Sequence, residues 1–178
     1  MIYIIGGTPR AGKSTLAKKL VERQAVPFLS TDFILHMVND TLPETKLTKP
    51  YAEIPLKFFP YIKNLIKHIK NSIKDYTIEG DAFLPAQIFE LQKDYDLKVC
   101  FLGFSKITLP EIKDYVGENN WLNDLSDFDI NNLPQWIIEK SQTLKQDCEK
   151  YNIKYFDMAD GLYEQNLEKA YTYLVEGK

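Results

Sequence analysis

One lysine and two glycines near the amino terminus are spaced for phosphate chemistry. Residues 7–14 read Gly-Thr-Pro-Arg-Ala-Gly-Lys-Ser and fit the pattern G-x-x-x-x-G-K-[ST] at every fixed position. The apolar run MIYIIGG precedes them and a helical pattern from Ser14 to Gln24 follows, which is the strand-to-helix setting the pattern requires. The residue types answer to the charge of a polyphosphate. Glycines let the backbone approach closely and accept positive φ. A helix start offers N–H groups without intrahelical partners and the positive end of its dipole. Gly7, Thr8, Pro9, Arg10, Ala11, Gly12, Lys13, Ser14 and Thr15 are therefore expected to cradle a nucleoside triphosphate, with ATP as the cofactor. Lys13 can reach the β- and γ-phosphates, Ser14 can place its hydroxyl on Mg²⁺, and Thr15 faces the same helix start near the α-phosphate. A glycine turn that only joined strand to helix would need neither the lysine nor the spacing.

Three acids are candidates to work beside that phosphate, because ligands of open parallel sheets bind at the carboxyl ends of strands. Asp32 ends the run FLSTD, and Glu79 and Asp81 end YTIEGD. Asp32 reads in two compatible ways. It is an N-cap for the pattern Phe33, Ile34, Met37, or a catalytic base that takes or positions the proton of an acceptor hydroxyl. Ser30 and Thr31 are candidates to hydrogen-bond the same acceptor. Glu79 is placed as the acid that holds Mg²⁺ directly or through water, with Gly80 leaving room beside it. Its plainer reading is a capping or loop acid, and Asp81 competes for either role.

Five apolar runs must position these groups: MIYIIGG, VPFLSTD, YTIEGD, LKVCFLGF and IKYFDM. Helical patterns alternate with them over 14–24, 58–75, 85–93, 134–151 and 162–175. Strands alternating with helices predict an α/β protein with a parallel sheet covered on both faces. Two stretches break the rhythm. Residues 40–60 carry four prolines and read as an irregular connection. Residues 105–133 mix a short helix with an acidic loop and read as a lid.

The bulk numbers narrow the function classes. A chain of 178 residues with 44% hydrophobic and 26% charged residues is expected to be one globular domain. Its net charge of −3 argues against a nucleic-acid partner. Cys100 and Cys148 lie in no metal-ligand spacing, and Cys100 reads as a buried strand residue. No apolar run approaches a membrane span, and Met1 already stands at a strand edge, so a cytosolic protein without a membrane partner is expected. The stripe Lys63, Lys67, Lys70 and Lys74 reads as a solvated helix face. His36 and His68 are lone histidines without metal spacing. Trp121 and Trp136 flank the lid-like stretch, where core packing is at least as good a reading as closing over a substrate. Tyr51, Phe58, Phe59 and Tyr61 can wall an acceptor pocket.

In order, GGTPRAGKST, FLSTDF, IEGDAFLP, CFLGFS, the lid-like stretch and IKYFD resemble the small P-loop kinases: the adenylate, shikimate and gluconate kinases, chloramphenicol phosphotransferase and the 2-phosphoglycerate kinase-like proteins. STDF and IEGDAFLP bring the likeness nearest to the last of these. The resemblance implies one P-loop kinase-like domain over 1–178, with an acceptor-side segment at 40–60 and a lid at 105–133. It implies a five-stranded parallel sheet of order 2-3-1-4-5 and transfer of a γ-phosphoryl group to a small hydroxylated metabolite, nucleoside or nucleotide. It carries the phosphate role onto Gly12, Lys13 and Ser14 and the acceptor-base role onto Asp32. It sets residues 157–161 against the nucleobase, without fixing ATP over GTP. The signalling GTPases are set aside, since no N-K-x-D signature is present.

One departure stands out. Lids of these kinases supply arginines to the transferring group, and this chain has only Arg10 and Arg23. Arg10, Lys106, Lys113, Lys140 and Lys145 are the cations that remain to serve, with Arg23 read as a surface residue. The shortage keeps two other readings open: a nucleotide-binding regulatory or interaction protein with little turnover, and a polynucleotide 5′-kinase, which the acidic lid and net charge oppose.

Overall fold

The structure, a computed structural model, describes residues 1–45, 47, 53–114 and 121–176. Tyr51 and Glu118, and the side chains of Trp121, Asp124 and Asp127, lie outside the described residues. Five strands form one parallel sheet: β1 (Ile2–Gly7), β2 (Phe28–Ser30), β3 (Tyr76–Glu79), β4 (Leu97–Gly103) and β5 (Lys154–Asp157). The order is β2-β3-β1-β4-β5, as expected. Helices cover both faces: α1 (Lys13–Gln24), α2 (Thr31–Thr41), α3 (Ile54–Ser72), α4 (Pro85–Leu91), α5 (Leu109–Asp114), α6 (Asp127–Lys150) and α7 (Tyr163–Glu176).

The central strand shows why the sheet needs two covers. Ile4 and Ile5 are adjacent, so their side chains leave β1 on opposite faces. Ile4 packs in a core with Ile62 and Ile66 of α3 and Ile88 of α4. Ile5 packs in a second core with Leu16 and Leu20 of α1 and Leu167 and Leu174 of α7. Each such buried side chain contributes about 1.5–3 kcal/mol. That anchorage lets the end of β1 hold a loop in which Arg10 adopts φ 66°, a conformation costing on the order of 1–3 kcal/mol.

Two helices begin earlier than their prolines suggest. The helix expected over 58–75 runs Ile54–Ser72, with Pro55 in its first turn, where no N–H is needed, and Pro60 inside it. An interior proline costs about 3 kcal/mol. Burial of Phe58, Ile62, Ile66 and Ile69 more than offsets it. Phe58 is thus fully buried in the core and cannot wall an acceptor pocket. Lys63, Lys67 and Lys70 are exposed along α3, as a solvated face requires. Likewise α6 starts at Asp127 and not at Pro134, because Ser126 caps it: the Oγ accepts from the Asp129 amide at 3.2 Å. No helix among the described residues is long and apolar enough to cross a membrane.

Candidate active site

The glycine loop lies between β1 and α1, at the carboxyl edge of the sheet. Gly12 caps α1 with φ 92°, and a methyl built on it would run into the Tyr163 hydroxyl of α7. Lys13 follows as the first helical residue, and the first turn of α1 contains no acid. A cation at a helix N-terminus opposes the dipole, so this turn concentrates positive charge that only an anion offsets. The Lys13 Nζ folds back and donates to the Thr8 carbonyl at 2.9 Å. Thr8 is buried, and its amide donates to the Leu102 carbonyl of β4 at 3.0 Å. The loop is therefore a built cradle, and its residues fit a polyphosphate. A Gly12→Ala substitution is expected to lower Tm by about 5 °C and to abolish nucleotide binding, as read by thermal melts and calorimetry.

Glu79 closes β3, in register with Ile5 of β1 and Ser30 of β2. It is only 3% exposed, and its Oε1 accepts a hydrogen bond from Ser14 Oγ at 3.2 Å. Gly80 follows, packed so tightly that any Cβ would strike the Thr31 side chain. Among the described residues no three His, Cys, Asp or Glu side chains converge on a metal position. A hydroxyl and one carboxylate nonetheless fit Mg²⁺, a hard cation that takes one or two protein oxygens and completes its shell with phosphate and water.

Asp32 is not the cap of α2. Ser30 is, its Oγ accepting from the Asp32 amide at 3.4 Å. The Ser30 hydroxyl accepts that bond and keeps its own proton to donate, whereas Thr31 is fully buried and does not reach an acceptor as expected. Asp32 itself opens to solvent on one side and is hemmed in on the other. Burial raises its pKa, the charges of Asp81 and Glu79 add to this, and Lys13 and His36 oppose it. One turn of α2 beside it exposes Phe33 and Met37, 67% and 58% accessible.

Asp81 faces a fifth group. Lys140 of α6 lies 3.6 Å from its Oδ2 and 4.9 Å from the Trp136 ring centroid. Burial lowers the Lys140 pKa, with Asp81 opposing and Lys13 adding to the decrease. The structure thus brings Lys13, Asp32, Glu79, Asp81 and Lys140 around one mouth. The next residue, Ser141, carries no signal in the sequence that singles it out. Its Oγ accepts from the Phe104 amide at 2.9 Å and meets Thr8 Oγ1 at 3.3 Å, tying α6 to both β4 and the glycine loop.

The other expected cations are differently placed. Arg23 donates to Glu168 of α7 at 2.7 Å; with Lys19 it holds that carboxyl down to about 2. Lys106, Lys113 and Lys145 are exposed. Arg10 stays in the loop, and burial lowers the pKa of its guanidinium. In the stretch 157–161, Asp157 Oδ1 accepts from the amides of Ser105 and Ala159, each at 3.0 Å, which fixes the loop beyond β5 against the end of β4. A shallow hollow of about 850 Å³ beside β5 and α7, lined by Phe156, Glu168 and Tyr173 among others, shares no residue with the mouth.

No family model and no curated protein sequence matches the chain. Solved structures do. A shikimate kinase from Bacteroides thetaiotaomicron aligns over 99% of this chain and 97% of its own, with TM-score 0.61 and 16% identity. A gluconokinase from Sinorhizobium meliloti 1021 aligns over 98% and 93%, with TM-score 0.58 and 13% identity. An uncharacterized protein from Eubacterium ventriosum ATCC 27560 aligns over 99% of both chains, with TM-score 0.56 and 15% identity. With its parallel sheet of order 2-3-1-4-5 flanked by helices, this chain has the P-loop kinase fold.

Proposed function

We propose that this chain is a phosphotransferase that moves the γ-phosphoryl group of ATP to a hydroxyl of a small acceptor. One observation carries the reading. Ser14 and Glu79, 65 residues apart in sequence, meet at 3.2 Å on the helix turn that also holds Lys13. A strand-to-helix turn has no structural need for that trio, whereas a magnesium–polyphosphate site needs all three. Residues 7–15 would line the phosphates, with Lys13 exchanging the Thr8 carbonyl for phosphate oxygens. Ser14 and Glu79 would hold Mg²⁺, which when bound neutralises phosphate charge. Asp32 would accept the proton of the acceptor hydroxyl, and Arg10 would face charge developing in the loop. Residues 40–60 would form the acceptor side and 105–133 a lid. The nearer likeness to chloramphenicol phosphotransferase and 2-phosphoglycerate kinase-like proteins rests on STDF and IEGDAFLP alone.

Charge narrows the acceptor. Shikimate and gluconate are carboxylates, but here Asp32 and Asp81 flank the mouth and Lys140 is already engaged by Asp81. An acceptor without its own carboxylate fits that pattern better. The test is ADP release from MgATP across a panel of polyols, nucleosides, amino sugars, shikimate and gluconate. At least one carboxylate-free member is expected to accelerate release beyond either acid. Tight ATP binding with no acceleration across the panel would favour the regulatory reading instead. Glu79→Gln is expected to raise the Mg²⁺ concentration for half-maximal turnover by roughly 10-fold or more, measured by magnesium titration at fixed ATP.

A further inference from the structure

We propose that Lys140, presented by α6, is the cation that meets the transferring phosphoryl group in place of the lid arginines this chain lacks. The inference rests on the phosphotransferase reading and assigns one more residue to it. Three observations carry it. Lys140 is half-buried at the mouth shared with Lys13, Asp32 and Asp81, whereas Lys145 is exposed. Its ammonium is 3.6 Å from Asp81 Oδ2, longer than a well-made hydrogen bond; a phosphoryl oxygen with more charge can displace that partner. Trp136, one turn earlier on the same face, has its ring centroid 4.9 Å from the ammonium.

The support beneath it is rigid. Ser141 pins α6 to the Phe104 amide and to Thr8 of the glycine loop. A lid arginine must be carried in by closure, whereas this cation is held in place by the same contacts that shape the phosphate loop. In the transfer, the acceptor oxygen forms its bond to the γ-phosphorus as the bond to the β,γ-bridging oxygen breaks. ADP leaves with that electron pair, and the hydroxyl proton passes to Asp32. Lys140 donates hydrogen bonds to the phosphoryl oxygens and loses no proton.

The test compares two magnesium nucleotides by calorimetry: ADP, and the γ-phosphate-bearing analogue AMP-PNP. Lys140→Gln is expected to bind ADP within about 2-fold of the unsubstituted protein but to lose about 10-fold or more in AMP-PNP affinity. Lys140→Arg is expected to retain most of it. Equal losses for both nucleotides, or no loss for either, would overturn the assignment. If Lys140→Gln does not fold, Asp81→Asn decides: freeing the ammonium must tighten AMP-PNP more than ADP, and an equal change overturns the proposal. Failure of the phosphotransferase reading looks different: the unsubstituted protein then binds neither nucleotide, or binds both while no acceptor accelerates ADP release.

Discussion

A Lys13→Met variant is expected to fold normally and bind MgATP about 100-fold more weakly, with turnover below detection. The affinity loss follows from removing one or two hydrogen bonds between an ammonium and phosphate oxygens, at about 1.5–3 kcal/mol each. Folding should survive because Lys13 is only half-buried and its ammonium bonds a carbonyl within its own loop, Thr8 O. Methionine keeps the length of the stem. It also relieves the adverse placement of a cation in the first turn of α1, so Tm should not fall. Calorimetry with MgATP, alongside thermal melts, checks both halves. A variant that binds ATP as well as the unsubstituted protein would remove the phosphate cradle from the reading.

Asp32→Asn should likewise separate stability from activity. As the group proposed to take the acceptor proton, Asp32 is expected to contribute about 100- to 10,000-fold to turnover, and asparagine can position a hydroxyl but not accept its proton. The pH dependence has a definite sign. Burial and the neighbouring carboxylates raise the Asp32 pKa in the folded state, so the acid limb of turnover should fall above the pH of an ordinary carboxylate and vanish in the variant. The same shift means the folded chain holds this proton more tightly than the unfolded chain. Stability from this group is thus greatest below the ordinary carboxylate pKa and declines as pH rises through the raised value. Removing the charge should therefore raise Tm at neutral pH. Unchanged acceptor-stimulated turnover in Asp32→Asn would show that the base lies elsewhere.

Stretches whose chemistry is contiguous were readable from the chain itself. Gly7 to Ser14 carry their own turn, helix start and cation, because backbone geometry and dipole act over a few residues. The three inner strand runs were readable for a similar reason: a parallel strand buried on both faces must be apolar throughout. The end of VPFLSTD, by contrast, was ambiguous. Ser30, Thr31 and Asp32 are all good caps, and only the backbone direction at the end of β2 gave Ser30 the cap and left Asp32 facing the mouth. Local preference also misjudged Pro60 and Pro134, where packing of a whole helix face outweighed one residue's cost.

The order of residues by itself determined a glycine-rich loop of phosphate-binding pattern between a strand and a helix, a parallel sheet around it, and acids at strand ends. The tertiary structure alone decided which acid meets which partner: Glu79 with Ser14, Asp81 with Lys140. It also decided that Ser141, 133 residues beyond Thr8, braces the loop. The reason is physical. Local propensities act across one turn of chain, while these pairings are set by strand register and helix packing, which depend on every buried side chain at once.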